Sequence, residues 1–343
     1  MPARFPLLAP WLLCLVLLTS CGPATLSLSL GKRDQRLVET AVITDDNASA
    51  AKIALIEVRG LIVDAATPAL LGQGQNPVDM LVAELARAEQ DRAVKAVVLR
   101  IDSPGGSVTA SDVMYRELRR FMARTNKPVI ASLATVAASG GYYLALGADE
   151  IVTEPTCITG SIGVIFPTFN FSGAMQRWGI QSRAVVSRPN KDLASPFEPI
   201  EEAHYAILQS LVDEQYARFR GLVVERRPTL DQSRLDEATD GRIVSGLRAI
   251  ELGLADSAGG VREAFEVAKA RAGVDGARLV RYHAPDQMPR TPYANASLGS
   301  GPTGDATMPS SSTAQPQVNL LQINLPGSSH WPTEAGAYYL WMP

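Results

Sequence analysis

Pro128-Val-Ile-Ala-Ser-Leu133, followed shortly by Ala137-Ala-Ser-Gly-Gly-Tyr-Tyr143, decides how this chain is read. The first stretch is a short apolar run of the kind that fills a buried strand, and the second opens a helix behind it. A serine among small residues at a strand-to-helix turn has an accessible hydroxyl, with the backbone N–H of Gly140 beside it. That is the layout of a nucleophile. The same residues also suit a helix start, with Ser139 as N-cap and the glycines packing tightly.

Outward from this turn the pattern repeats. Short apolar runs at 52–58, 95–101, 128–133, 149–153, 161–166 and 180–187 predict strands, with amphipathic stretches between them. Helices are expected at 77–90, with Val78, Leu81, Val82 and Leu85 on one face, and at 109–124, with Val113, Met114, Leu118, Phe121 and Met122. Two more are expected at about 200–225 and 260–272. The alternation defines an α/β domain, placed at 52–275.

Two further turns follow predicted strands. Asp102-Ser-Pro-Gly-Gly106 carries consecutive glycines, Gly105 and Gly106, which let the backbone approach a ligand and aim N–H groups at it. Together with Gly140 these could hold an oxyanion, although Pro-Gly-Gly by itself is more often a plain turn. Pro189-Asn-Lys-Asp192 brings Lys191, one of only six lysines at 32, 52, 95, 127, 191 and 269. A single lysine is ordinarily a solvated surface group.

Length and composition set outer limits. The chain has 343 residues, 46% of them hydrophobic and 20% charged, ample for a packed core. A net charge of −3, with no Lys/Arg run among aromatics, argues against a nucleic-acid partner. Cys14 and Cys21 lie near the start, leaving Cys157 alone in the body, where it reads as a small buried hydrophobe. No metal or cofactor is called for.

The ends differ from the middle. Residues 1–20 combine Arg4, the apolar run Leu7 to Leu18 and small residues before Cys21, as a signal peptide does. Leu18-Thr-Ser-Cys21 resembles the bacterial lipobox, which implies an acylated Cys21 and a tether over 21–51. From 276, and most clearly after about 284, Pro, Gly, Ser and Thr predict a flexible tail to 343. Within it 318–325 and 338–341 are apolar enough to dock back as extended chain in a groove of the assembly.

Taken together, the motifs resemble the signal peptide peptidase A family, whose fold is similar to Clp protease and crotonase, built of repeated ββα units. The resemblance spans about 52–273 and rests on Asp102-Ser-Pro-Gly-Gly106, Ala138-Ser-Gly-Gly-Tyr-Tyr143, Thr159-Gly-Ser-Ile-Gly-Val164, and Lys191-Asp192 with Ser195-Pro-Phe197. It implies Ser139 as nucleophile, Lys191 as general base and Ser161 as the group orienting that lysine. It further implies hydrolysis of short peptides such as remnant signal peptides, a homo-oligomeric ring, and a place in the bacterial cell envelope outside the cytoplasm. One departure is visible: Arg188-Pro-Asn-Lys191 stands where the family usually has Gly-Lys-x-Lys, and Pro189 biases Arg188 toward extended backbone.

The sequence admits three other readings. A Ser/His/Asp triad would need a histidine, but His204, His283 and His330 sit in no matching motif. A crotonase-like acyl-CoA enzyme would share the paired N–H groups, though its substrate is cytoplasmic. A non-catalytic lipoprotein scaffold is the third.

Overall fold

Strand β3, Val94–Ser103, shows why the sheet forms where it does: of its ten residues only Lys95, Arg100 and Asp102 escape full burial. A strand covered on both faces must be apolar on both, and parallel strands generally are. The computed structural model describes residues 36–47, 50–66, 75–228, 230–285, 288–294 and 338–340. All belong to one unit, Gln35–Gly299 with His330–Pro343.

Around β3 lie β1 (Val38–Thr44), β2 (Lys52–Arg59), β5 (Val129–Ala138), β6 (Glu150–Thr153), β9 (Ser257–Ala258) and β10 (Arg278–His283). They line up in the order β1-β10-β2-β3-β5-β6-β9, with only the β1–β10 pair antiparallel. β7 (Ile158–Gly160) pairs with the end of β5, and β8 (Ile243–Ser245) with β7. The short β4 (Gly105–Ser107) pairs with β11 (Tyr338–Leu340) in a separate two-stranded sheet.

Helices cover both faces. On one lie α1 (Pro77–Gln90), α2 (Val108–Thr125) and α3 (Gly140–Ala145). α1 buries Val78, Leu81, Leu85 and Ala88 there, and α2 buries Met114, Leu118 and Phe121. They meet Ala54, Ile56 and Val58 of β2, while the alternate residues Ile53 and Leu55 point to the other face, against Val261, Ala264, Phe265 and Ala268. Those four belong to the helix Val261–Ala272, which follows four others: α4 (Ser172–Arg177), α5 (Glu202–Arg226), α6 (Gln232–Thr239) and α7 (Gly246–Leu252). We number it α8. Each fully buried aliphatic side chain contributes roughly 1.5–3 kcal/mol. The strand–strand–helix unit β3-β4-α2 and the three-layered α/β order agree with the Clp/crotonase-like class.

Several expectations change. The strand expected at 161–166 lies earlier, as β7, and only an isolated bridge from Ile165 to Tyr338 marks the predicted range. No strand forms over 180–187. Ile180 is half exposed and Val185 fully so, because the segment meets no sheet edge to satisfy its backbone. The sheet also extends past 52–275 on both sides: β1 falls in the expected tether, β10 in the expected tail, and they pair with each other. Segment 318–325 and Cys21 lie outside the described residues.

Candidate active site

β5 runs straight into the turn at Ser139, whose φ of 52° and ψ of −115° place it in backbone space that L-residues avoid. Such a conformation costs about 1–3 kcal/mol and survives only where its surroundings enforce it. Here they do. The Ser139 N–H donates to the Gly160 carbonyl at 2.8 Å, and the Ser139 carbonyl accepts from the Tyr143 N–H at 2.8 Å. The hydroxyl is buried, and among the described residues it has no hydrogen-bond partner. A buried hydroxyl left unpaired is costly, and where it persists a function is the usual reason.

β7 supports the turn from the side. Ala138 is in register with Gly160, so the next residues, Ser139 and Ser161, leave adjacent strand ends together. Ser161 is buried at a φ of 49°, with its N–H bonded to the Arg242 carbonyl at 2.7 Å. Thr159 ties the two strands by donating its hydroxyl to the Ala137 carbonyl at 2.6 Å.

The glycine pair is more specialised than its sequence suggests. The Ile62 N–H donates to the Gly105 carbonyl at 2.8 Å, and the Ser107 N–H to the Ile62 carbonyl at 2.9 Å. Strand alternation therefore turns both backbone groups of Gly106 to the opposite side, toward β11. Gly105 itself is no free donor, since its N–H goes to Ser103 Oγ at 3.1 Å. This corrects its expected place among the oxyanion donors, leaving Gly106 and Gly140. Gly105 instead supplies shape. Its φ is +102°, and a Cβ there would fall 2.0 Å from the Tyr339 carbonyl oxygen and 2.7 Å from the Gly140 nitrogen.

Lys191 stands apart. It is exposed in a turn, with its N–H bonded to the Arg188 carbonyl at 3.0 Å, and its amine is not bonded to Ser139. The two histidines among the described residues are engaged elsewhere, His204 3.7 Å from the Glu201 carboxylate and His283 contacting Thr40 Oγ1 and the Ala284 carbonyl, and His330 lies outside the described residues. Cys157 is buried, as its isolation predicts, and desolvation pushes its thiol up to about 12. No cluster of His, Cys, Asp and Glu among the described residues could hold a metal ion.

Sequence reasoning missed an aromatic pocket beside the glycines. Tyr143 donates its hydroxyl to Asp112 at 2.8 Å, and Arg218 reaches the same carboxylate at 2.6 Å. Burial favours the protonated acid, but the bonds from Arg218 and Tyr143 outweigh it and hold the Asp112 carboxyl below its usual range. The Tyr142-Tyr143 pair was the available signal. Tyr142 proves to be a core anchor, its hydroxyl donating to the Leu254 carbonyl at 2.7 Å.

A strained serine at the end of a central parallel strand, next to two glycine-lined turns, is the arrangement a serine hydrolase of the Clp type would use. Known proteins agree. The pattern of Peptidase family S49 matches residues 122–275, and that of Clp protease residues 71–157. A protein of Enterococcus faecium named as a signal peptide peptidase SppA is 31% identical over 255 residues, covering 74% of this chain and 72% of that one. A Synechocystis protein named as a protease is 34% identical, covering 65% of this chain and 76% of its own. Protease 4 of Haemophilus influenzae is 34% identical over 64% of this chain and 34% of its own length. This chain belongs to the signal peptide peptidase A family, peptidase family S49, and is a serine peptidase. The acyl-CoA and non-catalytic readings are thereby set aside.

Proposed function

We propose that the chain is a membrane-tethered endopeptidase that cuts short unfolded peptides, such as remnant signal peptides, with Ser139 as nucleophile and Lys191 as general base. The observation that carries the reading is the buried Ser139 hydroxyl, without a partner among the described residues, beside a glycine edge that already pairs with an extended segment of chain. A peptide added to that edge would lie as a strand, held mainly by backbone hydrogen bonds and so with little demand on sequence.

Ser139 Oγ attacks the peptide carbonyl while the neutral amine of Lys191 accepts its proton. The oxyanion is held by the N–H groups of Gly106 and Gly140. Collapse breaks the C–N bond, the lysine returns the proton to the leaving amine, and water then hydrolyses the acyl-enzyme. Ser161 orients the lysine. Lys191 must be delivered to Ser139, and the segment that carries it also exposes Phe171, Trp178, Phe197 and Ile200, side chains suited to contact with a second copy in a homo-oligomer. Acylation of Cys21 would hold the assembly on a membrane of the bacterial cell envelope, with the catalytic domain outside the cytoplasm.

A serine-directed acylating probe tests the core of this reading. Mass spectrometry should find a single adduct on Ser139 and none in Ser139→Ala. Hydrolysis of peptides by a protein that resists such labelling would place the nucleophile elsewhere.

A further inference from the structure

One carboxylate joins the three elements that lead away from the proposed catalytic groups. Asp112 lies on α2, which continues from the Gly106 edge. Its Oδ1 accepts from the Tyr143 hydroxyl at 2.8 Å and from Arg218 at 2.6 Å, and its Oδ2 pairs with Arg116 of the same helix at 2.9 Å. Tyr143 belongs to α3, which begins beside Ser139, and Arg218 to α5, which follows the Lys191 turn. α5 is anchored along its second half only. There Phe219, Leu222 and Val223 are buried, Tyr216 donates its hydroxyl to the Thr239 carbonyl at 2.8 Å, and Arg226 reaches the Leu146 carbonyl at 2.9 Å. Over 202–215 only His204 and Leu208 are buried. At that outer end His204 and Tyr205 line a small cavity with Asp192 and Ser195 of the lysine turn.

We infer that Asp112 is a positioning residue: through Arg218 it fixes the angle at which α5 leaves the domain, and so the place to which Lys191 is delivered. The inference rests on the proposed role of Lys191 and adds the group that aims it. Leverage makes this contact matter. From Arg218 back to His204 the helix runs about 14 residues, or about 21 Å. A tilt of about 5° at Arg218 therefore carries the lysine turn through about 2 Å, whereas a misplacement of about 1 Å at a reacting group can cost roughly 100-fold in rate. The stability at stake is small, because the Arg218 side chain is 56% exposed and a solvated ion pair contributes little. The pair thus acts on geometry more than on stability.

The test uses the full chain and times the acylation of Ser139 by the serine-directed probe, a step that needs the base. Arg218→Met keeps the aliphatic stem and loses the charge. Its labelling should slow roughly 10- to 100-fold, as should that of Asp112→Asn, with the double variant no slower than the slower single one. Arg116→Met takes a partner from the same carboxylate without touching α5, so it should label as wild type does. Arg218→Met should add nothing to Lys191→Ala, since it acts through the lysine, and peptide binding to the Ser139→Ala protein, followed by calorimetry, should not respond to it. Wild-type labelling of Arg218→Met beside a slow Lys191→Ala would overturn the inference alone. So would further slowing in the Lys191→Ala background, weaker peptide binding, or a melting temperature well below that of Arg116→Met, each of which assigns Arg218 to the groove or to the fold at large. Wild-type labelling of Lys191→Ala would instead bring down the lysine reading on which the inference stands.

Discussion

Ala138 and Gly160 face each other in register at the ends of β5 and β7, and the serines that follow them, Ser139 and Ser161, both leave their strands at positive φ, 52° and 49°. Two strained residues side by side at the mouth of a sheet mark the place where the fold has given up stability. The Ser139 N–H bond to the Gly160 carbonyl couples them, so the aim of the Ser139 hydroxyl depends on the neighbouring turn.

Replacing Ser139 separates strain from chemistry. Ser139→Ala should abolish turnover, by roughly 10⁴-fold or more in kcat, with the fold intact. Ser139→Gly should be equally inactive yet more stable than Ser139→Ala by about 1 kcal/mol, since glycine accepts a positive φ freely. Thermal unfolding of the pair checks this. Equal stabilities would mean that the turn is not strained.

The glycine edge tolerates no side chain. A Cβ on Gly106 would lie 1.9 Å from the Ile62 carbonyl oxygen, and one on Gly140 2.4 Å from Ser111 Oγ. Gly106→Ala should therefore shift β4 and cost roughly 10²–10³-fold in kcat, the loss typical of one oxyanion donor. Gly221, inside α5, has nothing within 4 Å of such a Cβ. Gly221→Ala should leave activity alone and raise stability by up to about 1 kcal/mol.

Lys191 is tested by its inability to be mimicked. Arginine keeps the positive charge but cannot give up its proton, so Lys191→Arg should be as inactive as Lys191→Ala. Wild-type kcat/KM should rise with pH as the amine loses its proton. An active Lys191→Arg protein would show that the lysine acts by charge alone, with the base elsewhere.

Glu84 sets a pH dependence of stability far from the site. It lies on α1, buried, near Glu57, to which Arg100 and Arg281 are both bonded. Desolvation, only partly offset by Arg281, pushes its carboxyl from 4.5 up to about 8. The folded protein thus keeps a proton that the unfolded chain releases, and this contribution to stability, full below 4.5, is lost as pH rises through about 8. Glu84→Gln copies the protonated form and cannot ionise. Its melting temperature should match wild type near pH 5 and exceed it by several degrees at pH 9. A variant less stable than wild type at pH 9 would show that Glu84 is held ionised by the arginines.

Much of the site was legible because its chemistry is local. The apolar runs of β3 and β5, the double glycine after one and the Ser-Gly-Gly after the other are each defined by a few adjacent residues. Where a feature depended on a distant partner, the pattern misled. Residues 180–187 have a strand's composition and remain unpaired, while β7 forms earlier than its apolar run suggested because β5 and β8 accept it there. The double glycine could be read as donors but not divided, since only the position of Ser103 Oγ shows that Gly105 is already engaged.

The sequence by itself determined the class of fold and the candidacy of Ser139 and Lys191, through residue types whose backbone and side-chain chemistry needs no distant neighbour. It also carried the tendency of 338–341 to dock as extended chain. Tertiary structure alone decided where: Tyr338–Leu340 lies along Gly105–Ser107, with the Tyr339 ring between Tyr143 and Phe219. The same difference explains β1 and β10, which lie at opposite ends of the domain and pair with each other. A strand's readiness to pair is written in its own residues, whereas its partner is whichever edge, among all those the fold leaves open, satisfies its backbone and buries its side chains best.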